Sequence, residues 1–337
     1  MAMRTVRRLQ RVLLSSGSAC ALLASSQVMA HHSQAAYDSG REITIEGTIS
    51  RLDWKNPHIY LIVETSDDKG GKRLQQIEGL AVTQALVDGL DRKALQPGTH
   101  VLVRANPNRH GADRTVRGLD VVTTADGEVH PMYRRSGPPQ PLQPATSIAG
   151  KWAPSLAETG KVFGVVRGAW KLTPAAKAGE LVGACDIEPV PFLAVINEFR
   201  MIEVSGTSVK FRFDNSGDEA VREVHLDQKQ HPASITPSLF GHSIGHWEGE
   251  TLVIDTVGYK PHVSGLFSGI PAGAKKHTVE RLTLTPDHLH LRYQMTMEDP
   301  QFLAEPAQLD MLWDHRPDLD FAKVPCDKDD SDRYLAD

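Results

Sequence analysis

The chain is poor in cysteine, in aromatic residues and in long apolar segments. Its 337 residues include 3 Cys and 6% aromatic side chains, which excludes a small disulfide-rich scaffold. No apolar run reaches the roughly 18–20 residues that a membrane-spanning helix needs. Net positive charge is also lacking, because the formal charge is −5. The sequence therefore predicts neither an integral membrane span nor a nucleic-acid partner.

Acidic residues are missing from the first thirty positions, which carry four arginines instead. This basic start, the apolar stretch from Val12 to Leu23 and the small residues Val28 and Ala30 are typical of a secretory signal peptide over residues 1–30. We predict cleavage after Ala30 and a periplasmic or secreted location. The pair Arg7-Arg8 also permits twin-arginine export, although the ordinary secretory route is favoured.

Cleavage would remove Cys20 and leave Cys185 and Cys326 as the two cysteines. In an oxidising compartment an even pair is expected to form one disulfide, here enclosing 140 residues. The alternative is a pair of buried free thiols. The two residues have no CxxC spacing, so redox catalysis is not expected.

A proline-rich segment divides the mature chain. Five prolines lie within residues 131–144, without apolar periodicity, which favours an extended linker over 129–147. It would separate an N-terminal domain, 31–128, from a C-terminal domain, 148–337. We predict that the two domains fold separately.

The N-terminal domain shows the alternation of β-strands. Ile59, Leu61 and Val63 would share one strand face, and the only helical stretch runs from Ala81 to Leu86. The predicted order is β-β-β-α-β-β in about ninety residues, which is the order of a five-stranded OB-like barrel.

The C-terminal domain is also predicted to be mainly β. Its clearest strand alternates through Leu289, Leu291, Tyr293, Met295 and Met297. Many short antiparallel strands over about 180 residues indicate an up-and-down barrel or a sandwich. Gly150-Lys151-Trp152 resembles the G-x-W that opens lipocalin-type barrels, with Trp313 and Arg316 as the aromatic and cation that close such a barrel.

Two motifs resemble those of exported bacterial proteins of unknown function. His31-His32-Ser33 followed by Trp54-Lys55-Asn56-Pro57-His58 is similar to a family that begins HHS after the signal peptide and carries W-x-N-P-H. The stretch from Gly241 to Tyr259 resembles a second family with the pattern G-x-S-x-G-x-W-E-G-D-T-L-V-V-D-T-x-G-F, with Glu250 in place of the usual Asp. Neither resemblance implies an established activity.

Gly241-x-Ser243-x-Gly245 also matches the nucleophile elbow of α/β-hydrolases. That elbow needs a strand before the serine and a helix after it. Here a second β-strand follows, and no βαβ units surround it. We therefore assign the glycines to tight turns rather than to hydrolase chemistry.

The N-terminal histidines are candidate metal ligands. Cleavage after Ala30 would place a free amine beside the imidazoles of His31 and His32, with His58 as a further ligand. Amine and imidazole nitrogens suit copper or zinc. The alternative is a dihistidine terminus without metal and a His58 that packs against Trp54.

A second candidate site lies in the C-terminal domain, where histidines and charged residues flank the predicted strands. The proposed catalytic residues are His231, His277 and Glu280. The proposed ligand-binding residues are Arg222, His242, His246, Trp247, Asp255 and Arg281. We expect most of these side chains to gather at one region of the barrel, with proton transfer by histidine and carboxylate. The structural alternative is a network of buried polar residues, and strand alternation alone would send Glu280 and Arg281 to opposite faces.

Three functions follow from these patterns. The first is an exported protein that binds a small, mostly apolar molecule in its barrel. The second is a lipocalin-like hydratase or isomerase that acts on a hydrophobic substrate. The third is periplasmic copper or zinc binding through the N-terminal histidines.

Overall fold

The protein is mainly β, with an N-terminal ring of strands and a C-terminal closed barrel. A computed structural model describes residues 36–66, 70–111, 115–133, 141–178, 182–196, 198–215 and 218–332. The candidate ligands His31 and His32 and the predicted signal peptide lie outside the described residues.

The N-terminal ring follows the predicted order of strands. Its elements are β1 (Ile43–Asp53), β2 (Tyr60–Ser66), β3 (Lys72–Glu78), α1 (Val82–Val87), β4 (His100–Asn106) and β5 (Val116–Thr123). β1 pairs with β2 and β4, β2 with β3, and β4 with β5, all antiparallel. A short parallel pairing of β3 with β5 closes the ring. Ile59, Leu61 and Val63 are all buried in its core, as the alternation predicted.

A sixth strand, β6 (Val129–Pro131), extends the N-terminal sheet by pairing with β5. It lies in the segment that the sequence indicates as the start of the linker. The pairing is possible for Pro131 because β6 is an edge strand, where a missing N–H group costs little. The sheet therefore continues beyond residue 128.

The barrel has nine strands, with a hairpin and short helices around it. Its elements are β7 (Gly150–Ala153), α2 (Leu156–Gly168), a 3-10 turn (Pro174–Ala178), α3 (Phe192–Val195), β8 (Arg200–Val204), β9 (Ser208–Asn215), β10 (Asp218–His225), β11 (His242–Glu248), β12 (Thr251–Val257), β13 (His262–Phe267), β14 (Ile270–Ala272), β15 (His277–Leu284), β16 (His290–Glu298), β17 (Ala307–His315) and α4 (Lys328–Asp332). The barrel closes in the order β10-β11-β12-β15-β16-β17-β7-β8-β9, while β13 and β14 form a separate hairpin.

The barrel differs from the expected antiparallel one at a single pairing. β10 and β11 run parallel, with Val224 opposite Ser243 and His225 opposite Ile244. A parallel neighbour requires a connection that returns along the sheet, which takes a dozen or more residues. The connection 226–241 is long enough to make that return across the outside of the barrel.

Large side chains fill the barrel. The predicted β16 run places Leu291, Tyr293, Met295 and Met297 inside, each at most 2% exposed. Trp313 is stacked on Tyr293, with 4.7 Å between ring centroids.

The lipocalin resemblance implied Arg316 as the cation beside Trp313. In the structure that cation is Arg200. The Arg200 guanidinium lies 4.6 Å from the centroid of the Trp313 ring. Arg200 also donates to the carbonyl oxygens of Leu193, Ala194 and Ile196 at the end of α3. Arg316 donates instead to the carbonyl of Val87, 2.7 Å away in the N-terminal domain.

The predicted disulfide between Cys185 and Cys326 is present, with 5.7 Å between the two Cα atoms. A structural disulfide is consistent with a protein that resides in an oxidising compartment. In the described part of the chain, no helix is long and apolar enough to cross a membrane.

One lysine, Lys276, is buried between the hairpin and the segment before α3. Its Nζ donates to the carbonyl oxygens of Val190 and of Gly265, the latter at 2.6 Å. It also lies 4.3 Å from the centroid of the Tyr259 ring. Burial lowers the pKa of Lys276 to about 7, because the charged form loses its hydration.

Lys276 should make stability rise with pH above neutrality. Its folded pKa lies below its unfolded value near 10.4, so between those values the unfolded state binds more protons. The group should contribute a rise of up to about 1.4 kcal/mol per pH unit in the free energy of unfolding. Urea titrations at pH 8 and 9.5 should show a smaller rise for Lys276→Met than for the wild type. Lys210→Met replaces an exposed lysine and is the control, which should show the same rise as the wild type. A rise in Lys276→Met equal to that of the wild type would contradict the assignment of the lowered pKa to Lys276.

Candidate functional site

The structure distributes the residues proposed for the C-terminal site among three places. Arg222 and Glu280 lie inside the barrel, each at most 2% exposed. His231, His242, Asp255 and His277 meet on its outer face. His246, Trp247 and Arg281 lie near the turn between β11 and β12. The expected gathering of Arg222, His231, Trp247, His277, Glu280 and Arg281 into one region is therefore not observed.

The reason is the alternation of side chains along each strand. On β15, Thr278, Glu280 and Leu282 are buried inside the barrel, so His277 and Arg281 project outward. His277 and Glu280 are three positions apart and must therefore lie on opposite faces. Glu280 and Arg281 face opposite ways, as the alternation predicted.

Inside the barrel, Arg222 is the centre of a polar network. It donates to both carboxylate oxygens of Glu280, to Ser243 Oγ at 3.1 Å and to Thr256 Oγ1 at 2.8 Å. Tyr293 Oη donates to Glu280 Oε1 at 2.6 Å. Ser243, the serine of the elbow-like motif, is thus engaged within the core. These mutual hydrogen bonds account for the burial of a full ion pair.

The network keeps the Arg222 guanidinium charged and its two phenols neutral. Burial alone would lower the pKa of Arg222, but the Glu280 carboxylate outweighs it and the pKa lies above the ordinary value. Burial and the same carboxylate hold the pKa of Tyr293 well above its ordinary value. Burial raises the pKa of Tyr259 to about 12. Near pH 7 no phenolate forms here, which suits a structural role.

Near the β11–β12 turn, Glu248 pairs with two proposed site residues. Arg281 Nη2 donates to Glu248 Oε2 at 2.7 Å, and His246 Nε2 lies 3.3 Å from Glu248 Oε1. Trp247 is 43% exposed. Gly249, at φ 62°, lies in the turn between the two strands. All four side chains are exposed, so their ion pairs contribute little to stability.

The third place, which we name the outer histidine cluster, consists of His225, His231, His242, Asp255, His277 and Glu298. Neighbouring strands β10, β11, β12, β15 and β16 supply all but His231, which comes from the connection 226–241. Their register sets them in one diagonal row, because Ile244 pairs with Asp255, Asp255 with Val279, and His277 with Glu298. Side chains in diagonal positions on one face are within reach of each other.

Asp255 joins two imidazoles in this cluster. His231 Nε2 lies 2.8 Å from Asp255 Oδ1, and His277 Nε2 lies 3.0 Å from Asp255 Oδ2. The other ring nitrogen of His231, Nδ1, lies 2.9 Å from Nδ1 of His242. His225 stacks on His242 with 5.1 Å between ring centroids. Glu298 Oε2 lies 3.8 Å from His277 Nδ1.

These contacts assign the ring protons of the cluster. Burial alone would raise the pKa of Asp255, but the hydrogen bonds from His277 and His231 outweigh it and the pKa lies below the ordinary value. An ionised carboxylate only accepts, so both Nε2 atoms donate to it. The Nδ1 atoms of His231 and His242 share one proton in the hydrogen bond between the two rings. Burial and the neighbouring His225 and His231 lower the pKa of His242.

His58, the third proposed metal ligand, lies in the N-terminal domain. Its Nε2 is 4.0 Å from Glu78 Oε1, and its Nδ1 is 3.9 Å from Asp330 Oδ2. Its ring meets that of Tyr60 edge-on, 6.4 Å between centroids. Within the described ranges, no three His, Cys, Asp or Glu side chains form a ready-made metal site.

The site residues proposed from the sequence do not include four partners of these groups. Thr256 and Tyr293 complete the interior network, whereas His225 and Glu298 extend the outer cluster. A signal existed for Thr256, Tyr293 and Glu298, because the alternation of side chains along a strand places the first two inward and the third outward. No local signal places His225 beside His242, because that contact depends on the parallel pairing of β10 with β11.

The comparisons with known proteins place one part of the chain. No curated protein matches the chain. The matched region runs from residue 20 to residue 117, which includes β1 to β4 and the start of β5. Over these residues the chain is similar to a family of unknown function, DUF6152.

Proposed function

We propose that this is an exported protein that binds a transition-metal ion, Cu(II) in preference to Zn(II), at the outer histidine cluster. One observation carries the proposal: the Nδ1 atoms of His231 and His242 face each other at 2.9 Å. Imidazole nitrogens are good ligands for both metals. A metal ion would take the place of the proton that the two nitrogens share.

The separation of the two nitrogens favours copper. Two nitrogens at about 2.0–2.1 Å from one metal, at a right angle, are separated by about 2.9 Å. Right angles are those of the tetragonal geometry that Cu(II) prefers, whereas tetrahedral Zn(II) needs a wider separation. The two nitrogens are therefore already at the separation that Cu(II) needs, and the two rings would turn so that both lone pairs point at the metal. Water would complete the coordination of a metal ion held by these two imidazoles.

The surroundings of the pair orient it for this task. Asp255 accepts from His231 Nε2, which fixes the ring and leaves Nδ1 for the metal. The connection that carries His231 is itself fastened, because Lys260 N donates to Ser238 O at 2.7 Å and Ser238 N to Gly258 O at 3.2 Å. The side chain of His231 is 18% exposed, so the site remains open to solvent.

Calorimetric titration with Cu(II) tests the proposal. The protein should carry His31→Ala and His32→Ala, because those residues form the separate metal site that the sequence predicts. We expect one Cu(II) per chain, bound more tightly than Zn(II). His231→Ala and His242→Ala should each abolish binding, and Asp255→Asn should weaken it about tenfold.

The matched control is His246→Ala, which removes an exposed histidine from the same strand as His242. It should bind Cu(II) as tightly as the parent protein. Equal affinity of the parent, His231→Ala and His242→Ala would show that the metal binds elsewhere and would refute the proposal.

Proton transfer at His277 is the second candidate function. The Asp255 carboxylate holds His277 by Nε2, and the partly exposed side chain of His277 has its Nδ1 beside Glu298. A carboxylate that orients a histidine and stabilises its protonated form is the arrangement of many general bases. With p-nitrophenyl acetate as the probe, we expect His246→Ala to hydrolyse the ester faster than the background rate. We expect His277→Ala to show the background rate alone. Equal rates in the two variants would remove this candidate.

Binding of a small apolar molecule inside the barrel receives less support. The inward side chains form one continuous buried cluster that also includes α3. A ligand would therefore have to displace side chains such as Trp313, Phe211 and Met295 from contacts with each other.

A further inference from the structure

The C-terminal segment of the chain, residues 324–332, lies on the N-terminal ring. Asn56 holds it by a parallel bridge with Cys326, which includes a bond from Asp327 N to Asn56 O at 2.7 Å, and by a bond from Asn56 Nδ2 to Val324 O at 2.9 Å. Such contacts recognise the backbone of an extended peptide, as in the addition of a strand to a sheet edge.

Acidic side chains supply the rest of the recognition. Lys55 Nζ lies 2.8 Å from Asp327 Oδ2. Tyr60 Oη donates to the two carboxylate oxygens of Asp330, at 2.9 and 3.0 Å. Asp330 is only 2% exposed, so the ring domain encloses a carboxylate of the segment. His58 faces the same carboxylate.

The segment occupies the part of the ring where OB-type folds take their ligands. In such folds the loop between the first two strands and the faces of the second and third strands form the binding surface. Lys55, Asn56 and His58 belong to that loop, and Tyr60 begins β2. We infer that this loop and the start of β2 form a binding surface for acidic peptides, and that the Cys185–Cys326 disulfide keeps the chain's own segment on it.

The position of the disulfide supports its role in keeping the segment on the surface. Cys326 lies at the bridge with Asn56, and Cys185 belongs to the barrel domain, before α3. Both cysteines are partly exposed, so a thiol can reach them. A dithiol would break the S–S bond, become a disulfide itself, and leave two thiols at Cys185 and Cys326.

Reduction removes only one of two tethers. Residues 317–332 remain joined to the barrel through Arg316, which is anchored to Val87 O. The effective concentration of the segment at the surface then falls with the longer and looser connection. An acidic peptide from another protein can compete only in that reduced state.

Hydrogen exchange on the full wild-type chain tests whether the disulfide keeps the segment on the ring. After reduction by a dithiol and alkylation of both thiols, amides in 324–332 should exchange at least about ten times faster than in the oxidised protein. Amides of β12, inside the barrel wall, should still be protected when those of 324–332 have exchanged. Equal exchange in 324–332 before and after reduction would refute control by the disulfide.

Peptide binding tests the surface. The probe is a fluorescent peptide with the sequence of residues 321–332 and serine at position 326. It should bind a full-length variant whose own segment is disabled by Cys185→Ser, Cys326→Ser, Asp327→Ala and Asp330→Ala, and it should not bind the oxidised wild type. Adding Lys55→Ala or Tyr60→Phe should weaken binding about tenfold, whereas the remote His246→Ala should not. No binding to the disabled variant, with exchange in the ring core unchanged, would refute the surface.

Discussion

Replacement of Glu280 by alanine is expected to lower the free energy of unfolding by about 3–5 kcal/mol. The variant leaves the Arg222 guanidinium charged and buried at 2% exposure, without its carboxylate partner. It also removes the acceptor of the Tyr293 hydroxyl. A loss of this size is a large part of the stability of an ordinary domain. Urea titration followed by tryptophan fluorescence measures it, because Trp313 stacks on Tyr293 in the same core.

The matched control for this prediction replaces both charges. Arg222→Met with Glu280→Leu removes the ion pair without leaving a lone charge, so the double variant should be more stable than Glu280→Ala. Exposed pairs provide a second control: Arg281→Ala breaks the contact with Glu248 and should cost less than about 1 kcal/mol. A Glu280→Ala variant as stable as Arg281→Ala would show that the interior network is not an ionised pair.

Removal of the disulfide by Cys185→Ala with Cys326→Ala should lower the free energy of unfolding by about 4–5 kcal/mol. The two residues are 141 positions apart, and a crosslink over so long a loop restricts the unfolded chain strongly. The native chain also loses the tie between the barrel and the segment on the N-terminal ring. Urea titration of the double variant and of the reduced, alkylated wild type should agree. A loss below about 1 kcal/mol in both would contradict a stabilising role of the disulfide.

The sequence predicted those parts of the fold that depend on local alternation and on the cysteine count. The strand β16, the order of the N-terminal ring and the disulfide are confirmed. Features that depend on long-range pairing were not predictable. These include the parallel pairing of β10 with β11 and the role of Arg200 beneath Trp313. The helix α2, which begins at the Ser155 cap, was missed, although its N-cap pattern was available.

The candidate site shows the same division. His231, His242, Asp255 and His277 were named from the sequence, and the structure brings them together. Their location on the outer face follows from the alternation of side chains along the strands, which the sequence contains. The position of His231 beside these residues does not follow from that alternation, because it depends on how the connection 226–241 crosses the barrel.

A crystal structure of the protein grown with one equivalent of Cu(II), with data collected at the copper absorption edge, tests copper binding at the outer histidine cluster. We expect one anomalous peak about 2.0–2.1 Å from Nδ1 of His231 and from Nδ1 of His242. His231 Nε2 should remain bonded to Asp255, as it is at 2.8 Å here. A copper peak at the terminal histidines alone, with the two Nδ1 atoms still sharing a proton, would contradict the account.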